Sequence, residues 1–423
     1  MLTRRRFNSL LASGALASGL GGRAWAAPAN PGERKFLFFF CSGGWDTTYI
    51  FTPVGPNGIA DVEPDHAAST VNGITFVDVA ARPNVRSFFE RWGQDVCLIN
   101  GLEVQSVAHE RCRQLILTGR ADADVDDWPS VLAAGSSNAL VLPHIVMDGP
   151  AFNSRFPEKV VRVGDQGQLP HLLSADALSG LGGLSVPPAS VESLEDAFLR
   201  QRVDGLRANA EPGASGRFLD DYARALGDYD QLISTTDVEL GVSMLSCERD
   251  VVQDCATVFD CFELGLARCG MVRYNGWCGE GWDHHQRIDR QSVNVQDVFG
   301  YLDEVLTDLA TRVSPSGNPL ADEVTLVFFS EMGRAPRING WGGKDHWTFT
   351  SLMLIGSGIQ GGQVIGGVDD GLRGLRVDPD TGALTEQGVK LLPDHLGATL
   401  YTLADMDPGD WIDAPLPLTA ALR

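Results

Sequence analysis

The sequence predicts an α/β protein built around a mostly parallel sheet. Three apolar runs carry that reading: residues 35–40 (KFLFFF), 96–99 (VCLI) and 324–329 (VTLVFF). They lack the polar alternation of a half-exposed strand, as expected of strands buried on both faces. Helical patterns lie between them. Val85, Phe88, Phe89 and Trp92 share one face of a helix over 85–92, and Val295, Val298, Phe299, Leu302, Val305, Leu306 and Leu309 do so over 295–309. Ligands of open α/β sheets sit just beyond the carboxyl ends of the strands, so the loops after these runs are where chemistry is expected.

The chain has 423 residues, enough for one large α/β domain with insertions or for two domains. Its formal net charge is −22. That excludes a nucleic-acid partner, which needs a basic footprint. The acidity suits cation binding, although a solvated acidic surface produces the same total.

Residues 1–27 are not read as fold. Thr3-Arg4-Arg5-Arg6-Phe7 resembles a twin-arginine export signal, followed by a weakly apolar segment over 10–20 and a small-x-small cleavage site at Ala24-Trp25-Ala26. The segment is too short and Gly-rich for a transmembrane anchor. Losing Arg4, Arg5, Arg6 and Arg23 moves the charge from −22 to −26. The expected location is periplasmic or extracellular, and the resemblance implies export of an already folded protein. Eight cysteines in such a protein permit disulfides, and five of them lie within 247–278, where a local bridge is expected. Cys41 and Cys97 sit in apolar runs and read as buried small hydrophobes.

Taken in order, residues 35–40 form the first strand, ending in Cys41-Ser42-Gly43-Gly44-Trp45-Asp46. Residues 47–70 look like loop, and 74–79 like a short edge strand. The strand over 96–99 stops at Asn100-Gly101. The loop beyond holds Glu103, Ser106 and His109, and a helix over 110–117 is closed by Gly119. A helix over 129–134 and a strand over 139–147 follow. Residues 148–188 are irregular, and 191–227 are helical, with Leu194, Phe198, Val203 and Leu206 near helical spacing. Residues of about 150–260 thus read as an inserted cap. A strand over 270–274 leads into a loop with Asp283, His284 and His285. The strand over 324–329 breaks into Ser330-Glu331-Met332-Gly333-Arg334, and a Gly-rich loop runs to Asp345-His346. A strand over 351–355 and a helix over 393–403 complete the chain.

The strand-end loops therefore supply Asp46, Ser106 with His109, Asp283 with His285, Glu331, Asp345 and His346. Carboxylate and imidazole together are ligands for Zn, Mn or Fe, and oxygen-rich sets for Ca. Adjacent His284 and His285 diverge on any regular backbone, so one of the two serves a given ion. Arg334 beside Glu331 could hold a substrate anion or form a structural ion pair. Gly356–Gly361 fits G-x-G-x-x-G, but no helix follows it, which argues against dinucleotide binding.

Five stretches, FLFFFCSGGWD (36–46), GWDHH (281–285), VTLVFFSEMGR (324–334), GGKDHW (342–347) and LMLIGSGIQGGQVIGG (352–367), resemble the domain-of-unknown-function family 1501. Those proteins are twin-arginine-exported and related to alkaline phosphatases and sulfatases. The resemblance implies an alkaline-phosphatase-like three-layer sandwich around a mostly parallel sheet, spanning residues 28–423 with the helical or irregular middle segment inserted. It also implies a divalent metal at the strand ends, held by Asp46, Asp283, His285, Glu331, Asp345 and His346. The activity implied is hydrolysis of phosphate or sulfate esters, with a small anionic ester or glycan-linked molecule as substrate. His109 would act as acid/base or anion donor, Ser106 as nucleophile and Arg334 on the anion. Two departures stand out. Met332 replaces a histidine ligand, and Ala108-His109 replaces the usual Ser-His. A binding or assembly protein that retains the fold is the alternative.

Overall fold

Strand β1 (Lys35–Cys41) is buried along its whole length. Leu37, Phe39 and Cys41 pack into one core, while Phe36, Phe38 and Phe40 pack into another. Period-2 alternation places these two sets on opposite faces of the sheet, so an all-apolar run is what a doubly covered strand requires. Each buried Phe contributes about 1.5–3 kcal/mol relative to exposure. The computed structural model describes residues 33–55, 59–122, 124–164, 188–234, 244–245 and 247–423. The expected export signal lies outside them, as do parts of the irregular insertion.

A hairpin follows, β2 (Ala68–Val71) and β3 (Ile74–Val77), then α1 (Pro83–Trp92), β4 (Val96–Glu103), α2 (His109–Thr118), α3 (Trp128–Ala134), β5 (His144–Val146) and β6 (Val160–Arg162). Next come α4 (Ala189–Arg207), α5 (Ala214–Ser234), β7 (Met244–Leu245), β8 (Glu248–Arg249), α6 (Val251–Glu263), β9 (Cys269–Tyr274) and α7 (Arg290–Leu309). The last part holds β10 (Val324–Ser330), β11 (Gly333–Ile338), β12 (Lys344–Trp347), β13 (Phe349–Gly356), β14 (Gln363–Gly366) and α8 (Pro393–Leu403).

Eight strands form the central sheet in the order β14-β4-β13-β10-β1-β9-β5-β6. Seven run one way, and β13 alone is antiparallel to its neighbours β10 and β4. Helices α1, α6 and α7 cover one face, with Phe88, Phe259 and Phe299 in that core. Helices α2, α3 and α8 cover the other, with Ile116, Trp128 and Leu400. Register then places the loops. Cys41 pairs with both Ser330 and Tyr274, so the segments after β1, β10 and β9 leave the sheet side by side. The ribbon β11–β12 folds over this end before the chain returns through β13.

Several boundaries differ from the sequence expectation. Strand β4 does not stop at Asn100-Gly101 but runs to Glu103, because Gly101 takes φ +81° and forms a bulge opposite Thr350 and Ser351. The strand expected over 139–147 is reduced to His144–Val146; Pro143, lacking an N–H, precedes it. The edge strand expected over 74–79 pairs instead with Ala68–Val71, a segment read as loop, in a hairpin separate from the main sheet. Asn72 and Gly73 turn it with φ +50° and +82°, the sign pattern of a type I′ turn. The expected middle cap contains the helices α4 and α5, which leave Leu194, Phe198 and Phe218 largely exposed and reach the main core through Leu232. The local bridge expected among the clustered cysteines is Cys247–Cys278, while Cys41 and Cys97 are buried free thiols.

Candidate metal centre

Three imidazoles converge on one carboxylate. His109 opens α2, Asp283 and His285 lie in the loop after β9, and His346 lies on β12. His109 Nε2 is 3.2 Å from Asp283 Oδ2, while His346 Nε2 and His285 Nε2 stand 3.1 and 3.3 Å from Asp283 Oδ1. One ligand-capable atom from each of His109, Asp283 and His346 falls within 4.8 Å of the others. His285 Nε2 is 2.9 Å from His346 Nε2.

The far side of each ring fixes its tautomer. His346 Nδ1 donates to the Val107 carbonyl at 2.6 Å. Since a carbonyl only accepts, that nitrogen carries a proton, and Nε2 is left facing Asp283. His285 Nδ1 faces Asp345 Oδ1 at 3.2 Å, and His109 Nδ1 faces Glu331 Oε1 at 3.0 Å. By the same logic both Nδ1 atoms donate outward, and both Nε2 atoms face Asp283, where each donates while its ring is protonated and can bind a cation once it is not. Outer acceptors that orient imidazoles in this way are the usual second layer of metal sites.

Burial would raise the Asp283 carboxyl, but hydrogen bonds from His109, His346 and Arg334 and the Arg334 charge hold it far below the ordinary carboxylate range. Bonds to Asp283 and Glu331 raise His109 to about 9, against the opposing effect of burial. Asp283 is thus an anion that gathers positive charge.

The other proposed ligands have different neighbours. Glu331 is fully buried and accepts from the amides of Gly43 (2.9 Å) and Gly44 (3.2 Å), from Ser330 Oγ (3.0 Å) and from His109. Burial alone would raise its pKa, but these donors lower it. Both oxygens are committed, so Glu331 holds His109 in place. Asp345 stands behind His285 and also accepts from Asn339 Nδ2 at 3.0 Å. Asp46 lies outside the group. It accepts from Thr48 N and Oγ1 as the cap of a short 3₁₀ turn, and its other oxygen is 2.7 Å from the buried Lys344 Nζ.

Arg334 is not left open for a substrate anion. It donates to the carbonyls of Gly43, Gly44 (2.8 Å), Trp282 (3.1 Å) and Lys344 (3.1 Å) and to Asp283 Oδ1 at 2.6 Å, which pins the loops together. Ser106 Oγ accepts the Ala108 amide at 3.2 Å, and among the described residues no imidazole contacts it. His284 diverges from His285 as expected. It is buried beside Gln291, and burial followed by the Arg334 charge lowers it to about 4.

Local backbone makes the convergence possible. A Cβ on Gly43, whose φ is +125°, would lie 2.7 Å from the Asp283 amide nitrogen, so the two loops meet only because position 43 is bare. Lys344, Asn339 and the Val107 carbonyl were not foreseen as contributors. A lysine next to Asp345-His346 was the one available signal, since a buried ammonium requires a carboxylate partner.

Residues 253–401 match the family model described as "Protein of unknown function (DUF1501)", which supports that family. The matched segment includes Asp283, His285, Glu331, Arg334, Asp345 and His346 but neither Asp46 nor His109. No curated protein matches the chain.

Proposed function

We propose that His109, Asp283, His285 and His346 hold one divalent metal ion, and that the chain is an exported metal-dependent hydrolase of phosphate or sulfate esters on an alkaline-phosphatase-like fold. The observation that carries the metal reading is the convergence of three imidazole Nε2 atoms, two of them 2.9 Å apart, on an ionised carboxylate. With both Nδ1 protons turned outward, the Nε2 lone pairs of His285 and His346 repel one another unless a proton or a metal ion lies among them. An imidazole-rich set with one carboxylate suits Zn, Fe or Mn; Ca, which prefers oxygen ligands, fits poorly. The sheet between two helical layers, with the cluster at strand carboxyl ends, is compatible with the proposed fold. The Cys247–Cys278 disulfide is compatible with an oxidising compartment. No helix of the described residues is long and apolar enough to cross a membrane.

A divalent ion there would supply positive charge against the charge that develops on an ester oxygen in hydrolysis. Glu331, Asp345 and the Val107 carbonyl keep the three rings aimed inward. Arg334 fixes Asp283 through a charge-assisted bond and ties its loop to Gly43 and Gly44.

One observation favours a second reading, a metal-binding envelope protein without turnover. Ser106 contacts no described base, and Lys344 occupies the Asp46 carboxylate, so neither a covalent nucleophile nor a second ion's ligand set is assembled. Elemental analysis of the exported protein tests the site, and an ester screen tests the activity. We expect about one equivalent of Zn, Fe or Mn, absent from Asp283→Ala. Equal metal in parent and Asp283→Ala would sink the site. A metal-loaded protein that cleaves no phosphate or sulfate ester would sink the hydrolase reading and leave the binding one.

A further inference from the structure

A cavity of about 240 Å³ opens at the same end of the sheet, beside the cluster. Its walls include Phe40, Phe152, Glu110 and three arginines, Arg113, Arg162 and Arg273. The guanidinium charges are incompletely matched. Arg162 donates to the carbonyls of Gly149 (3.0 Å) and Ala151 (3.4 Å), and no carboxylate among the described residues pairs with it. Arg273 meets Asp148 Oδ2 through Nε at 2.9 Å. Arg113 pairs with the exposed Glu110 at 3.0 Å and donates to Ser42 Oγ at 3.4 Å. Its Nε also lies 3.7 Å from Glu331 Oε1, the carboxylate that orients His109. A single side chain therefore separates this basic cavity from the candidate metal centre.

We propose that the cavity receives an anionic group, a carboxylate or a phosphate or sulfate oxoanion, carried by the substrate near the bond to be cleaved. This rests on the hydrolase reading for the word substrate, but the binding of the anion stands on the cavity alone. Guanidinium groups match the planar or tetrahedral oxygens of such anions with paired donors. The cavity volume of about 240 Å³ is many times what a single water needs. That fits an acid group with a few carbons, and Phe40 and Phe152 offer those carbons an apolar wall. The substrate class implied is a small ester bearing a second acidic function.

The test is a calorimetric titration of the full chain, as purified, with phosphate, sulfate and acetate as separate probes. We expect saturable binding of at least one probe, weakened at least tenfold in Arg162→Gln and in Arg273→Gln, and retained in Asp283→Ala. Arg162 is exposed, so Arg162→Glu serves as a second variant that should keep the fold while reversing the local charge; circular dichroism checks this. No saturable binding of any probe, or equal binding by parent and all three arginine variants, overturns the proposal. So does loss of binding in Asp283→Ala, which would move the anion to the metal cluster. Metal content measured on the same Asp283→Ala sample reports on the metal reading separately. Where both hold, KM for an ester with a second acid group rises at least tenfold in Arg273→Gln, and KM for its neutral analogue stays unchanged. Equal changes for both esters would leave the anion with no place on the substrate and overturn that part.

Discussion

His285 and His346 meet nitrogen to nitrogen, Nε2 to Nε2 at 2.9 Å, with each opposite ring nitrogen turned to an acceptor. Such a contact is stable only if a proton or a metal ion supplies positive charge between or beside the rings. Asp283 Oδ1 lies 3.1 Å from one ring and 3.3 Å from the other. The three groups form a socket with a defined charge requirement.

The outer layer should tune that socket. Asp345 is exposed and touches His285 rather than Asp283, so Asp345→Asn should leave the fold intact and lower metal affinity by about 10–100-fold. Competition against a chromophoric chelator measures this. Unchanged affinity would mean that Asp345 does not orient His285.

Lys344 and Asp46 form an ion pair at 2.7 Å with both side chains buried. Lys344→Met strands a buried carboxylate and should cost about 3–5 kcal/mol in urea unfolding. Adding Asp46→Asn should recover most of that loss, because it removes the stranded charge while its amide oxygen still accepts from Thr48. A double variant as unstable as Lys344→Met would refute the pairing argument.

The Cys247–Cys278 bridge spans a sequence separation of 31. Chain-entropy arguments assign such a loop about 3–4 kcal/mol of stabilisation. The double variant Cys247→Ser/Cys278→Ser should lower stability by up to that amount in non-reducing urea melts. Reducing agent should then affect the parent but not the variant.

His144 is fully buried, and neither ring nitrogen has a hydrogen-bond partner among the described residues. Burial, assisted by the Arg162 charge, lowers its pKa from 6.5 to about 3. The folded state thus binds fewer protons than the unfolded one, so this contribution is fully present above pH ~6.5 and lost as pH falls toward 3. By pH 4 the loss amounts to about 3 kcal/mol. His144→Leu should remove that part of the acid slope. Parallel slopes for parent and variant between pH 7 and pH 4 would show that the ring is not held neutral.

Much of the frame was legible because local pattern and tertiary role agree. β1 and β10 are apolar on both faces because both faces are covered, and α8 carries Pro393 in its first turn, where a missing N–H does no harm. The β2–β3 hairpin was missed although Asn72-Gly73 is a strong turn signal, since Ala68–Val71 (ASTV) is short and half exposed. In the candidate site, residue type and strand-end position marked His109, Asp283, His285, Glu331 and His346, but not Lys344 or Asn339. Roles were another matter. Asp46 and Asp283 look alike in sequence, yet one faces Lys344 and the other three imidazoles. Glu331 reads as a ligand until the Gly43 and Gly44 amides occupy its oxygens. Asp46 and Glu331 are distinguished by partners more than 200 residues away, Lys344 and Gly43, and Asp283 by imidazoles from three separate segments, which no local pattern encodes.

The same separations constrain the order in which the molecule is assembled. His109 reaches Glu331 across 222 positions, and His346 reaches Val107 across 239. Contacts of that span carry a large loop-closure entropy, which the sheet between them must offset. A nascent or truncated chain ending before Asp345 therefore lacks the His346 wall of the socket, whatever else has folded. On the proposed metal reading, capture of an ion would report on the whole chain, since it would require that β4, β9, β10 and the β11–β12 ribbon have all closed.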